Sequence, residues 1–342
     1  MQIADLTWVS DADGWGLGSA PCSTPPCTSV VHTLNGGQSW AGLPAPVAYL
    51  PTLQSLSTGC SATFACVSGI RFASASVGYV FGQSSLWMTT DGGHSWTERS
   101  KDTTDALEVD GSTVVRVVNP AFESPPGIPF SVEEAPVGST SWHTVLSATV
   151  PGDSVSLAVQ GSDLSLLVGQ NPAGGANDEH GTLYRSTDGG THWASGPDPC
   201  GVGPGGVEAD ARDIGAAPGG TLVAGCTVRN SSSPGFVVVS SNAGASFGGQ
   251  HPAGTSPELT RVAAATPQRL VVLTADNQSE HLSVSWDGGV TWTTTYTVNS
   301  TSQGPQFLGF EDANTGRAIV TDRTIVTTSD GGQHWVAYTF PS

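Results

Sequence analysis

Short runs of Val, Leu, Ile, Thr and aromatic residues recur along the whole chain, cut every few residues by Gly-Gly, Asn-Gly or Asp-Gly pairs. That is the pattern of many short strands joined by tight turns. Sustained helical periodicity is absent, and no stretch approaches about 18 consecutive apolar residues, so a membrane-spanning helix is not expected. A chain of 342 residues allows two domains or one large all-β domain. The 44 Gly and 23 Pro, with frequent Ser and Thr, favour the second.

The punctuation is itself periodic. Thr89-Thr-Asp-Gly-Gly-His-Ser-Trp96 returns as Ser186-Thr-Asp-Gly-Gly-Thr-His-Trp193, as Ser285-Trp-Asp-Gly-Gly-Val-Thr-Trp292 and as Thr328-Ser-Asp-Gly-Gly-Gln-His-Trp335. Thr33-Leu-Asn-Gly-Gly-Gln-Ser-Trp40 replaces the acid by Asn35. Two further copies are decayed, Ser240-Ser-Asn242-Ala-Gly-Ala-Ser-Phe247 and Ala135-Pro-Val-Gly-Ser-Thr-Ser-Trp142. The closing aromatics are spaced 43–56 residues apart, the length of a four-stranded propeller blade. A turn is the physical reading. Asp91, Asp188, Asp287, Asp330 or the Asn accepts backbone N–H bonds, the Gly pair supplies positive φ, and the aromatic folds back as a plug.

A second phrase precedes several copies. Leu6-Thr-Trp-Val-Ser-Asp-Ala-Asp-Gly-Trp15, Ile70-Arg-Phe-Ala-Ser-Ala-Ser-Val-Gly-Tyr79 and Leu308-Gly-Phe-Glu-Asp-Ala-Asn-Thr-Gly-Arg317 each read as an inner strand, a turn and a second strand. The repeat resembles the Asp-box (BNR-type) turn of sialidases, sortilin-type receptors and photosystem II assembly-factor propellers, and the double signature is most similar to the assembly-factor branch. Seven copies cover nearly the whole chain. The expected fold is therefore all-β, a single seven-bladed β-propeller of four-stranded antiparallel blades over 1–342. The blades are expected at about 3–47, 67–100, 105–150, 154–197, 204–250, 257–298 and 305–342. With no strand visibly swapped between the ends, ring closure is expected from first-to-last blade packing. The resemblance also implies that the box joins third and fourth strands and faces away from the ligand site, which makes its Asp structural.

Charge narrows the partners. Acids number 29 against 11 basic residues, with Lys101 the only lysine, for a net charge of −18. No basic stripe exists for nucleic acid, and binding to an anionic membrane surface is disfavoured. Self-repulsion that keeps a monomer soluble accounts for the acidity. Six cysteines fall as close pairs, Cys22/Cys27, Cys60/Cys66 and Cys200/Cys226. Many pairings are open, but loop closure favours the local ones, and none has zinc-ligand spacing. Disulfides imply an oxidising compartment, so the chain is expected to be secreted or cell-surface. It starts MQIADLTWVS without a secretion leader, which is consistent with a trimmed mature domain in which Met1 is an expression start.

Candidate chemistry lies in the irregular loops opposite the boxes. Asp178-Glu179-His180 and Glu280-His281 are expected in equivalent loops of blades four and six, either as solvated tips or as an acid–base or metal pair. Arg71 and Arg261 share an inner-strand position, with Arg212 close to it. They read either as a carboxylate clamp or as bridges between blades through nearby acids. Asp11-Ala-Asp13-Gly14 has two of the several alternating acids a calcium loop needs, so no cofactor or metal is expected, calcium being the one cation considered. Six of the ten Trp close boxes and Trp8 and Trp15 take core positions. Trp87 and Trp286 remain as exposed aromatic candidates. The leading expectation is a non-catalytic binding propeller that recognises a glycan or protein through its loop face. The alternative is a carbohydrate-active enzyme, a glycoside hydrolase or polysaccharide lyase, with Glu108, Glu123, Glu179, Glu208 and Glu280 as the acids to test.

Overall fold

A computed structural model describes residues 1–51, 53, 60, 64–119, 128–150, 154–169, 181–229, 232–254, 256, 258–299 and 306–341. Within them, seven sheets of four antiparallel strands each are built from consecutive strands, at 2–43, 69–100, 103–150, 154–197, 209–252, 258–299 and 307–339. The expected seven-bladed β-propeller is what forms. Blade five starts later than its sequence phase, at Ala209, because Pro204–Gly206 makes a 3-10 turn in which Gly205 and Gly206 adopt positive φ.

The position of a strand in its blade sets its sequence. Second strands are sandwiched between neighbouring blades and buried on both faces, so they read as apolar runs rather than alternations. Leu270–Ala275 and Gly78–Gly82 are buried throughout, and Val114-Val-Arg-Val-Val118 is buried with its Arg116 guanidinium bonded to Glu133 and stacked over Trp142. Outer strands such as Thr97–Ser100 face solvent and are polar. Seven apolar clusters fill the ring, each formed mainly at a junction between neighbouring blades.

Each repeat turn connects a third strand to a fourth. In the turn at Ser186, the hydroxyl donates to Asp188 Oδ1 (2.8 Å) and accepts the Gly190 amide (2.9 Å). The carboxylate accepts the His192 amide (2.9 Å), and Trp193 Nε1 donates to the Gly190 carbonyl (3.0 Å). The Asn copies keep the plan by reversing one bond. Asn35 Nδ2 donates to Ser39 Oγ, whereas Asp91 Oδ2 accepts from Ser95 Oγ. The decayed turn holds Ala243 at φ 52°, where its sister copies place Gly.

One further bond recurs in all seven blades. An amide of the repeat turn donates to a carbonyl in the turn between first and second strands: Gly36 to Ala12, Gly92 to Ser76, Val137 to Ser112, Gly189 to Ser162, Ala243 to Gly220, Gly288 to Gln268 and Gly331 to Asn314. Both turns therefore lie on one face. The loops between second and third strands and the links between blades lie on the other, here called the loop face.

Among the described residues, no strand is exchanged at the seam between blades seven and one. Ile3 donates to the Asp322 carbonyl, and Ile3, Leu6 and Val31 share a core with Ile319, Ile325 and Phe340. Arg317, 1% exposed, stacks 3.8 Å over Trp8, donates to the Asp11 carbonyl and pairs with Glu311. Burial pushes the Glu311 carboxyl up to about 7 against the pull of that guanidinium.

Two outcomes are expected. Arg317→Leu should destabilise the ring by about 3–5 kcal/mol in urea unfolding at neutral pH, because it removes the stack on Trp8 and the bond to the Asp11 carbonyl and leaves the buried Glu311 carboxyl without its partner. The second concerns acid. Hydrogen bonds from Ser95, His192, Thr291 and His334 hold Asp91, Asp188, Asp287 and Asp330 at about 2, below their ordinary 3.8. Their stabilisation is therefore present above about pH 4 and lost as pH falls towards 2. Changing all four to Asn should flatten the acid limb of the stability profile; an unchanged limb would show that these turns do not carry it.

Candidate functional site

The seven inner strands surround a central cavity of about 850 Å³. Its wall carries several ionisable groups, and two sets of them reach across blades. Arg71 in blade two bonds Asp5 of blade one (Nη1–Oδ2 2.7 Å) and Glu108 of blade three (Nη2–Oε1 2.9 Å). Asp5 also accepts the Ile70 amide (2.8 Å). Burial alone would lower the Arg71 guanidinium, but Asp5 and Glu108 raise it, and burial raises the Glu108 carboxyl.

A second belt repeats this design. Asp213 of blade five accepts Ser156 Oγ of blade four (2.7 Å) and the Val262 amide of blade six (3.0 Å), with Arg261 favouring its charge. Arg261 Nε reaches the Gln306 carbonyl before blade seven (3.1 Å). Burial still raises the Asp213 carboxyl. Of the two readings of the arginine set, bridging between blades describes Arg71 and Arg261.

Arg212 differs. The inner strand of blade five carries a β-bulge between Ala211 and Asp213, which leaves Arg212 without a cross-strand partner. A bulge re-aims the side chain at its extra residue. Arg212 lines the cavity, is exposed, and makes no hydrogen bond or ion pair with any described residue.

The other sequence candidates scatter. Asp178, Glu179, His180 and Glu123 lie outside the described residues. Glu280 and His281 belong to a strand, Ser279–Ser285, and not to a loop. The turn before them is short because Asp276 Oδ1 accepts the Gln278 and Ser279 amides and restarts pairing at once. Glu280 is buried, so desolvation pushes it up to about 7, with one carboxyl oxygen unpartnered. His281 is held by Thr297 and Asp276. Glu208 pairs with Arg229, which also bonds Asp210. Asp13 is taken by His32 (2.6 Å).

Trp87 is half-buried and Trp286 is exposed. Sequence reasoning missed Asp5 and Asp213. The available signal was an acid at the same inner-strand place as the Ala-rich segments Ile3-Ala-Asp5 and Ala211-Arg-Asp213.

The local cysteine pairs all form disulfides: Cys22–Cys27, Cys60–Cys66 and Cys200–Cys226. They anchor loop-face segments, where Phe64, Val202 and Val207 are also exposed. Among the described residues, no group of three or more His, Cys, Asp or Glu is arranged to hold a metal ion, and no helix is long and apolar enough to cross a membrane.

This ring, with its seven stapled turns, agrees with what sequence comparison finds. The model of the family described as photosynthesis system II assembly factor YCF48 matches residues 54–242, more than half of the chain. The chain belongs to that family. No curated protein sequence matches it.

Among solved structures it is similar to a YCF48 bound to a D1 peptide, at 14% identity over 100% of this chain and 94% of that one, with a TM-score of 0.60. A YCF48 from Cyanidioschyzon merolae matches at 14% identity over 79% and 83%, TM-score 0.50. An ancestral GH74 enzyme matches at 15% identity over 100% of this chain but 47% of its own, TM-score 0.59. Identities this low establish the shared propeller and nothing about ligands.

The belts and the bulge predict a sharp contrast. Asp213→Ala should cost about 2–4 kcal/mol in denaturant unfolding, since it orphans the Ser156 hydroxyl and the Val262 amide and leaves Arg261 unbalanced. Arg212→Ala should cost less than about 0.5 kcal/mol, as expected of an exposed side chain without partners.

Proposed function

We propose that this chain is a protein-binding propeller that receives a segment of a client protein on its loop face, over the mouth of the central cavity. The observation that carries the proposal is the state of the charges there. Asp5, Arg71, Glu108, Asp213 and Arg261 are committed to holding blades together, whereas Arg212 is exposed on its bulge and uncommitted among the described residues. A wall with Asp5, Glu108 and Asp213 locked and the Arg212 guanidinium free is equipped to recognise rather than to transfer protons. The exposed Phe64, Val202 and Val207 on disulfide-anchored segments add apolar contact on a rigid frame. Rigidity lowers the ordering cost of binding.

Family membership supports the reading, since one YCF48 structure holds a D1 peptide. The net charge of −18 disfavours a strongly acidic client. Arg212 acts only locally, because exposed charges are screened beyond about 8 Å. The client segment is therefore neutral or basic overall and places one carboxylate on Arg212. The three disulfides support a working site in an oxidising, extracytoplasmic compartment, which we read as secreted or at the cell surface.

A peptide-display library selected on the immobilised protein tests this. Peptides containing a carboxylate should be enriched, and Arg212→Glu should weaken the best of them at least about tenfold, equivalent to 1.4 kcal/mol. Failure to enrich any peptide, or equal binding by Arg212→Glu, would overturn the proposal.

A further inference from the structure

The face opposite the proposed client site carries a feature that the turn chemistry does not require. The second position of the repeat turn points to solvent in every copy with a full turn, and it holds Leu34, Thr90, Thr187, Ser241 and Ser329 in blades one, two, four, five and seven. In blade six it holds Trp286, 39% exposed. Neither the hydroxyl–Asp287 bond nor the Trp292 plug uses this ring.

Trp286 forms one wall of an open groove of about 480 Å³ between the turns of blades six and seven, completed by Thr295, Gln333 and His334. The polar members are held in place. Trp335 Nε1 donates to Thr295 Oγ1 (3.1 Å) and Gln333 Nε2 donates to the Asp330 carbonyl (3.2 Å). His334 Nδ1 lies 2.6 Å from Asp330 Oδ2. Because Asp330 is ionised at any ordinary pH, it keeps the proton on Nδ1. In the neutral ring the outward Nε2 is then an acceptor.

We infer that this groove is a subsite for a neutral sugar ring. A flat, exposed indole offers a face for the C–H side of a pyranose. Around it stand an amide, a hydroxyl and an imidazole acceptor, able to exchange hydrogen bonds with ring hydroxyls. One apolar surface with a few fixed polar groups is the make-up of a small-ligand site. The Asp330 carboxylate beside the groove and the −18 net charge exclude uronates and sialylated sugars by repulsion, so the ligand is uncharged. A peptide is less well matched, because Trp286 is the one apolar residue in the groove and no enclosed pocket accompanies it.

The inference goes beyond the client-binding proposal and is independent of it, since the groove shares no residue with the central cavity that Arg212 lines. Titration calorimetry of the intact protein with hexasaccharides of glucose, mannose, galactose and xylose tests it. At least one should bind, Trp286→Ala should weaken it at least about tenfold, and Trp286→Phe should retain part of the affinity. Gln333→Ala should weaken it as well, while Arg212→Glu should leave it unchanged. Trp286 and Gln333 are exposed turn residues and Arg212 is exposed on its strand bulge, and an unchanged melting temperature would confirm that the variants fold. No binding by any of the four sugars, or binding that survives Trp286→Ala, would overturn the inference. So would a selected peptide that Trp286→Ala releases when no sugar binds.

Discussion

The amide-to-carbonyl bond between the two turns of each blade is the constraint from which the rest of this molecule follows. It joins the hairpin of strands one and two to the hairpin of strands three and four at one end of the blade, so four short strands behave as one stiff unit. The turn that donates it is held by its own hydroxyl, its Asx side chain and a folded-back aromatic. It forms in the decayed copies too, donated by Val137 in one and in the other by Ala243, where Gly is missing. With one face occupied by this repeated fastening, length variation and disulfides collect on the other.

Seven stiff units must still be joined to one another. Apolar clusters at the blade junctions, to which the doubly buried second strands contribute, do part of this, and the inner wall adds charge. The Asp5–Arg71–Glu108 belt and the Asp213–Arg261 belt each span several blades. Carboxylates raised by burial in a cavity resemble catalytic groups on their own. Here the partners identify them as girders, and the same reasoning singles out Arg212 by its lack of partners. At the seam, where no strand is exchanged, Arg317 stacked on Trp8 and paired with Glu311 does the equivalent joining through one side chain.

Much of the architecture was legible in the chain because the repeat turn is local. Its hydroxyl, Asx and Gly-Gly act within eight residues, so the residue string reports the geometry directly, and seven copies count the blades. The local disulfides were readable for the same reason. The start of blade five was misplaced because a Pro-Gly-Gly link resembles the turn residues around it. Glu280 and His281 looked like a loop because polar residues there follow Asp-Asn-Gln, although Asp276 tightens the turn and returns the chain to a strand.

The sequence by itself determined the number of blades, the strand composition of each, the turn chemistry and the family, since all are set by contacts between near neighbours and repeated. Only the tertiary structure decided which charges are free. Asp5 lies 66 residues from Arg71, and Asp213 accepts the Val262 amide across a blade boundary. A one-residue bulge turns Arg212 out of the ladder while its neighbour Asp213 stays bonded. Likewise, Trp286 is one more aromatic in the string until blade seven places Gln333 and His334 beside it. Partnership across the ring depends on closure of all seven blades, a property that no segment of the chain carries alone.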